Sequence, residues 1–208
     1  MAARGATGRV LVAEHNIPRV CEYDLQGHER WQHRLQHGNP IACQRLPNGN
    51  TFIATYNNVL EVTRDNKELY LHSPNFGQGP IFSAQKLRNG QIVCLSAHGR
   101  LLKIDSVTGK LIANLRVNTN GGWCGVEALE GGRFLIAATN QNKVFEIDAA
   151  GKTVWQADVP GASHATRLTN GNTLVACMTT SRVVEIDRAG ATLLTIRTQG
   201  RPFHVQRR

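Results

Sequence analysis

A glycine following a short polar stretch returns along this chain at nearly constant intervals. Gly8, Gly49, Gly90, Gly132 and Gly171 are separated by 41, 41, 42 and 39 residues. Internal repetition at this period restricts the fold more than any other feature of a sequence, because each repeat must be the same small unit of structure. The two best-matched copies, "RLPNGNTFIATYNNVLEV" from Arg45 and "RLTNGNTLVACMTTSRVVEID" from Arg167, state the unit clearly. A short apolar strand follows each glycine ("VLVA", "TFIA", "IVCL", "FLIA", "TLVA"). A polar loop leads to a second strand ("RVCEYD", "VLEVT", "LLKID", "VFEID", "VVEID"). A tight turn ending at Gly27, Asn66, Gly109, Gly151 or Gly190 leads to a third ("ERWQ", "TVWQ"), and a fourth precedes the next glycine ("PIACQRL", "IFSAQKL", "CGVEAL", "SHATRL").

β-branched and aliphatic residues fill the strands, while Gly, Asn and Asp fill the turns. Asn-Gly between apolar runs predicts type I′ hairpin turns, with positive φ at both central residues. Asp24, Asp105, Asp148 and Asp187 stand three or four residues before a turn glycine, where a carboxylate accepts bonds from turn amides. No helical period competes. Four short strands repeated at this length predict an all-β fold, a five-bladed β-propeller with four antiparallel strands per blade. The chain length of 208 residues suits one such domain. The predicted blades are 8–34 plus 201–208, 39–71, 79–115, 121–157 and 161–197, in a single domain over 1–208. Pro202–Arg207 matches Ala162–Arg167 residue for residue. The C-terminal inner strand is therefore expected to pair with the N-terminal three strands, near Val10–Ala13, and close the ring without a free edge.

The blade sequences "LPNGNTFIATYNNVLEV" and "LTNGNTLVACMTTSRVVEID" resemble bacterial pyrroloquinoline-quinone-like and NHL-like repeat propellers. "KIDSVTGKLI" and "EIDAAGKTVWQ" resemble the quinoprotein-type blade end. The resemblance covers the whole chain and implies architecture; function on such a scaffold is set by the site it carries. The family's larger quinoenzymes carry a calcium site and a vicinal cysteine pair. Neither is present here, so no cofactor is expected.

Composition narrows the rest. Hydrophobic residues make up 41% and charged residues 19%, and no apolar run is long enough for a membrane helix. The start "MAARGATGRV" lacks an apolar signal core, and its abrupt passage into a strand suggests a domain cut from a longer chain. Five cysteines without a CxxC pair predict reduced buried thiols and a cytoplasmic monomer. The net charge of +9 suggests an acidic partner. With aromatic residues at only 6%, it does not predict specific nucleic-acid recognition.

Positions shared by all blades serve the blade, and positions that differ are free for function. Glu22, Glu61, Glu146 and Glu185 recur in one strand, and Arg45, Lys86, Arg167 and Arg207 in another; they are expected to pair or to form a solvated rim. A basic ring binding an anion is the alternative, weakened by Lys103 and Ala128, which break the two series. Gln44, Gln85, Glu127, Thr166 and Gln206 line the inner strands, where neutral amides are expected to hold water. The variable loops fall at one end of the blades, where ligand sites of repeat scaffolds concentrate. The candidate binding residues there are His15, Asn57, His98, Trp123, Asn140, His164, Arg201 and His204. His164 and His204 occupy one position of successive repeats. With His15 or His98 they offer metal-ligand or acid–base chemistry, and "SHATRLTNGN" looks like the histidine strand of certain propeller sulfotransferases. The plainer reading is a polar lining, and no metal set is assigned. Cys124 lacks a base in reach, and no nucleotide-binding or hydrolase motif occurs.

The expected function is a non-catalytic module binding a protein or small-molecule ligand, a domain of a larger bacterial protein. The alternative is an enzyme with a histidine-based site of lyase, hydrolase or sulfotransferase type.

Overall fold

The computed structural model describes residues 2–4 as backbone, and residues 8–14, 17–74 and 79–205 in full. The protein is all-β, with five four-stranded antiparallel sheets in a propeller arrangement. The first sheet is β1 (Ala2–Arg4), β2 (Val10–Glu14), β3 (Arg19–Tyr23) and β4 (Glu29–Arg34). The second is β5 (Pro40–Arg45), β6 (Thr51–Thr55), β7 (Val59–Val62) and β8 (Glu68–His72). The third is β9 (Ile81–Lys86), β10 (Gln91–Ser96), β11 (Arg100–Asp105) and β12 (Leu111–Arg116). The fourth is β13 (Cys124–Ala128), β14 (Phe134–Ala138), β15 (Lys143–Ile147) and β16 (Thr153–Asp158). The fifth is β17 (Ala162–Arg167), β18 (Thr173–Cys177), β19 (Arg182–Ile186) and β20 (Thr192–Arg197). Among the described residues no helix is long and apolar enough to cross a membrane.

The chain packs as two compact units, Met1–Cys94 with Leu102–Ala113, and Leu95–Leu101 with Asn114–Arg208. In the first unit, Leu11, Val20 and Trp31 of one sheet bury against Ile53, Leu60 and Val62 of the next. Phe52, Val59, Ile92 and Leu102 continue the core. In the second, Leu135, Val144 and Ala157 pack on Ala165, Val175 and Ile186. Each such buried aliphatic contributes about 1.5–3 kcal/mol.

The turns differ from the sequence expectation in one respect. Gly49 has φ of 86°, yet Asn48 is not among the residues with positive φ. The Gly49 amide donates to the Leu46 carbonyl at 3.0 Å, and the Leu46 amide donates to the Asn50 carbonyl at 2.9 Å. This is a three-residue loop closed by a left-handed glycine, the type I turn with a bulge, rather than type I′. The Asn48 side chain explains the choice: its Oδ1 accepts from the Asn50 amide at 3.0 Å, holding the asparagine in the ordinary turn conformation. Asn89 and Asn170 repeat the bond. The acidic turn residues behave as expected. Asp24 accepts from the Gln26 and His28 amides, and Asp148 from those of Ala150 and Lys152. Burial pushes the Asp24 carboxyl up, but the His28 amide and Arg30 outweigh it and bring it down to about 2.

The repeated glutamates and bases are structural partners. Glu22, 3% exposed, meets Arg9, Arg45 and Arg64 at 2.9, 3.0 and 2.6 Å. Glu146, 1% exposed, meets Arg133, Arg167 and Arg188 at 2.7, 3.0 and 3.0 Å. Glu61 takes Lys86. Each glutamate lies in the third strand of its sheet; Arg45, Lys86 and Arg167 lie in the first strand of the next sheet, Arg64 and Arg188 in the turn after its third strand, and Arg9 and Arg133 just before the second strand of the glutamate's own sheet. The aromatic residue opposite the glutamate completes the joint: the Arg45 guanidinium lies 4.9 Å from the Trp31 ring and that of Arg167 4.5 Å from Trp155. The indole N–H groups donate to the carbonyls of Arg64 and Arg188 in the following sheet, at 2.9 and 2.7 Å.

The N-terminal sheet carries an inner strand of its own. β1 pairs with β2, with Arg4 opposite Val10, as Arg45 lies opposite Thr51 and Arg167 opposite Thr173. The two edges of β2 are taken by β1 and β3. Connecting neighbours through a short loop costs far less chain entropy than joining the two ends of the chain. Arg201–Val205 form no strand, and Gln206 and Arg207 lie outside the described residues.

Glu22→Ala is expected to destabilise the protein by about 3–5 kcal/mol in denaturant unfolding, because three guanidiniums lose the carboxylate they surround. Burial raises the Glu22 carboxyl, while Arg64, Arg9 and Arg45 outweigh that and hold it below its ordinary value; Lys86 and Asn50 do the same for Glu61. Their stabilisation is therefore complete above the unfolded carboxyl value of about 4.3 and is lost as pH falls through the lower folded values. Acid unfolding that is identical in wild type and Glu22→Gln would contradict this.

Candidate binding site

The second unit gathers most of the residues nominated from sequence. Three segments lead to or from inner strands there: 118–124 before β13, 159–162 before β17, and 198–205 after β20. Three left-handed residues, Gly99, Asn142 and Ser181, close the loops between second and third strands. Gly99 is required by space as well as by φ, since an added Cβ would lie 2.2 Å from the Val117 carbonyl oxygen. The Thr139 hydroxyl donates to the Ala162 carbonyl at 2.8 Å, and the Gln141 amide donates to that of Asn118 at 2.7 Å. These bonds tie one sheet's loop to the inner-strand approaches beside it.

The Trp123 ring meets Phe203 edge-on at 5.3 Å, leaving Phe203 44% exposed. One turn of chain away, His164 and His204 stack with ring centroids 3.7 Å apart. A bulge between Ala162 and His164 resets the register of β17 so that His164 lies opposite Ala176. The Ser163 hydroxyl in the bulge contacts the carbonyls of Ala176 and Pro202 at 3.1 and 3.0 Å. His164 Nδ1 accepts from the Val205 amide at 3.5 Å. His204 Nδ1 is buried without a partner among the described residues. Burial pushes both imidazoles toward the neutral form, His164 well below its ordinary value with the His204 charge adding to the effect, and His204 to about 4. Two neutral stacked rings, one with its lone pair already engaged, form an apolar-faced lining more readily than an acid–base pair.

His98, Asn140 and Arg201 are exposed in the same unit; the Asn140 side-chain amide donates to the Asn120 carbonyl at 3.4 Å. Asn57 is exposed in the other unit, at the corresponding loop of the second sheet. His15 lies outside the described residues. No cluster of three or more metal-ligating side chains forms among the described residues. Cys124 is buried, its sulfhydryl against the Ser96 carbonyl, and burial pushes its thiol up to about 12. It is not a thiolate near neutrality.

Sequence reasoning missed two features. Phe203, one residue before His204, is absent from the sequence candidates although it stands against Trp123. The inner-strand amides do not simply hold water. Gln44 both accepts from the Lys86 amide and donates to its carbonyl, at 3.1 and 3.2 Å. Glu127 accepts from the Arg167 amide at 2.7 Å and from the Thr166 hydroxyl at 2.5 Å. These side chains staple one inner strand to the next. Burial holds the Glu127 carboxyl above its ordinary value, with Thr166 and Arg167 opposing.

The PQQ_2 repeat family, described as outer membrane protein assembly factor BamB, matches residues 97–202. The chain belongs to this family. A BamB from Nitrosomonas eutropha is 38% identical over 73 residues, which is 35% of this chain and only 17% of that protein. Solved structures agree on the fold alone. A Bacteroides caccae protein of unknown function superposes with a TM-score of 0.75 at 16% identity, covering 91% of this chain and 72% of its own. A catalytically inactive virginiamycin B lyase from Staphylococcus aureus, solved with quinupristin, gives 0.72 at 13%, covering 97% and 70%. The PQQ-like repeat architecture read from the blades is thereby confirmed. The cytoplasmic assignment is overturned, because the family and its BamB relative are outer membrane protein assembly factors. The cysteines misled because all five are buried and unpaired; packing keeps such thiols apart whatever the redox state of the compartment.

Two outcomes are expected at this site. A histidine whose folded value is depressed stabilises fully above the unfolded value of about 6.5, and that contribution is lost as pH falls toward the folded value. Imidazole proton NMR is expected to show His204 titrating near 4; a midpoint at 6.5 would show the pair to be open to water. Deleting Arg201–Arg208 removes the Phe203 and Pro202 contacts and, among the described residues, no ladder strand. Thermal unfolding is expected to register a loss of about 1–3 kcal/mol rather than collapse of the fold.

Proposed function

We propose that this chain is a non-catalytic, protein-binding propeller acting in the assembly of outer membrane proteins. The observation that carries the reading is the family match across residues 97–202, together with a relative whose name is that of an assembly factor. The chemistry of the chain is consistent with it. Its buried acids and bases are spent on joining sheets, its buried Cys124 is protonated, and its paired histidines are neutral. What remains is an exposed aromatic, Phe203, resting on Trp123, with exposed Asn140, His98 and Arg201 in the same unit. An aromatic anchor with adaptable polar neighbours and an arginine is the composition of a protein-recognition patch. A β-structured partner segment with an acidic flank fits both the apolar centre and the net charge of +9.

A photo-crosslinking residue placed at Asn140 or His98 in bacterial cells is expected to capture outer membrane proteins or components of their assembly machinery. The same residue at Asn170, on the opposite turns, is expected to capture none. Trp123→Ala should reduce the yield several-fold without changing the fold. Capture from Asn170 alone, or of no envelope protein from any position, would refute the reading.

A further inference from the structure

Where the third strand begins and the fourth ends, the sheets set charged residues directly opposite one another. In the first sheet Arg19 lies opposite Arg34, and like charges in that arrangement repel. This sheet supplies its own anion. Glu14, opposite Arg19 on the other side, meets its guanidinium at 2.7 Å, and Glu29 meets it at 3.5 Å. In the fourth sheet Asp158 stands opposite Lys143, 3.8 Å away. In the fifth, Arg182 lies opposite Arg197, and the place of Glu14 is taken by Cys177. Burial raises the Cys177 thiol above its ordinary value, with Arg182 opposing, so it carries no charge near neutrality. Among the described residues no carboxylate pairs with Arg182 or Arg197.

The two arginines border a pocket of about 390 Å³, lined by Thr180, Ser181, Arg182, Thr195, Arg197 and Thr198. Every lining side chain is a hydroxyl or a guanidinium. The ladder places three of them on one face, since Thr195 pairs with Val184, two residues from Arg182, and Arg197 lies two residues from Thr195. The Thr198 amide donates to the Ser181 carbonyl at 2.9 Å, which draws the end of β20 against the loop before β19. Two of the hydroxyls are spent. Thr180 donates to the Cys177 carbonyl at 3.5 Å and Thr198 to that of Gly200 at 2.6 Å. Those of Ser181 and Thr195 have no such bond among the described residues. The pocket therefore gathers two charged forks and two available hydroxyls, all of them donors, with no acid to meet them.

We propose that this pocket binds a phosphate group, as the free ion or as a small monoester, between Arg182 and Arg197. An anion lying between the guanidiniums turns their repulsion into attraction, as Glu14 does for Arg19. A carboxylate offers two oxygens on one side of a carbon and meets one fork well. A phosphate spreads its oxygens around one centre, so it can take a fork from each side and a hydroxyl besides. Small-molecule sites run from about 300 to 1,000 Å³, and this one falls at the lower end, with room beside the phosphate for a small group that carries it. The lining residues are separate from the Trp123–Phe203 patch, and this inference does not depend on the proposed function.

The test is calorimetric titration of the 208-residue chain with inorganic phosphate, glycerol phosphate and acetate at low salt. Saturable one-to-one binding of phosphate is expected, weakened about tenfold or more in Arg182→Gln and in Arg197→Gln, since each removes a hydrogen bond to a charged group. Lys152→Gln, which removes an exposed cation elsewhere in the same unit, should bind as wild type does. Without ligand, Arg197→Gln should melt no lower than wild type, because it relieves the like-charge pair. Tighter binding of glycerol phosphate would assign the pocket to a monoester and tighter binding of inorganic phosphate to the free ion; either supports the proposal. It is overturned if neither phosphate binds saturably, if acetate binds as tightly, or if Lys152→Gln weakens binding as much as the pocket variants do.

Discussion

A buried carboxylate reaching across to the next sheet is the interaction on which the rest of the structure depends. Glu22 and Glu146 are each encircled by three guanidiniums. An isolated charge at such depth would be prohibitive. Here each ion's partners come from three different points of the repeat, so the penalty is offset only when two sheets are in register. The aromatic lid over the arginine serves the same joint, since its ring faces the cation and its N–H satisfies a turn carbonyl of the neighbour. Hydrophobic burial supplies most of the free energy of the core, but it tolerates sliding. The ionic joint does not.

That division explains what the sequence made legible. The unit length, the strand order within a sheet and the Glu–Arg pairing were readable because the repeat compares the chain with itself, and a feature present in several copies must belong to the scaffold. The turn type was not readable from Asn-Gly alone. The asparagine side chain, by bonding the amide two residues on, chose the conformation that keeps its own φ negative. The source of the first inner strand was ambiguous for a different reason. Arg4 and Arg207 both satisfy the spacing of the basic series, and Ala2–Arg4 carries no β-branched residue to mark it as a strand. The structure pairs Ala2–Arg4 with β2.

The candidate site was legible by position but not by contact. His164 and His204 were aligned by the repeat, and the structure stacks them. Phe203 on Trp123, by contrast, joins residues far apart in the chain that differ in each repeat, so periodicity offered no sign of it. Glu127 and Gln44 were placed correctly on the inner strands. Their role as staples depends on which backbone groups lie opposite, and that is set by the offset between sheets, which no single strand records.

The ionic joint also gives the chain a direction. The first, second and fourth sheets each lend an acid and a ring forward and receive a base from their successor. Arg45 and Arg167 keep other acceptors of their own, the Gly49 and Gly171 carbonyls and the Thr51 and Thr173 hydroxyls. A glutamate stripped of its successor keeps far less. Losing a preceding sheet therefore leaves a cation with alternatives, whereas losing a following one leaves a sealed anion with few.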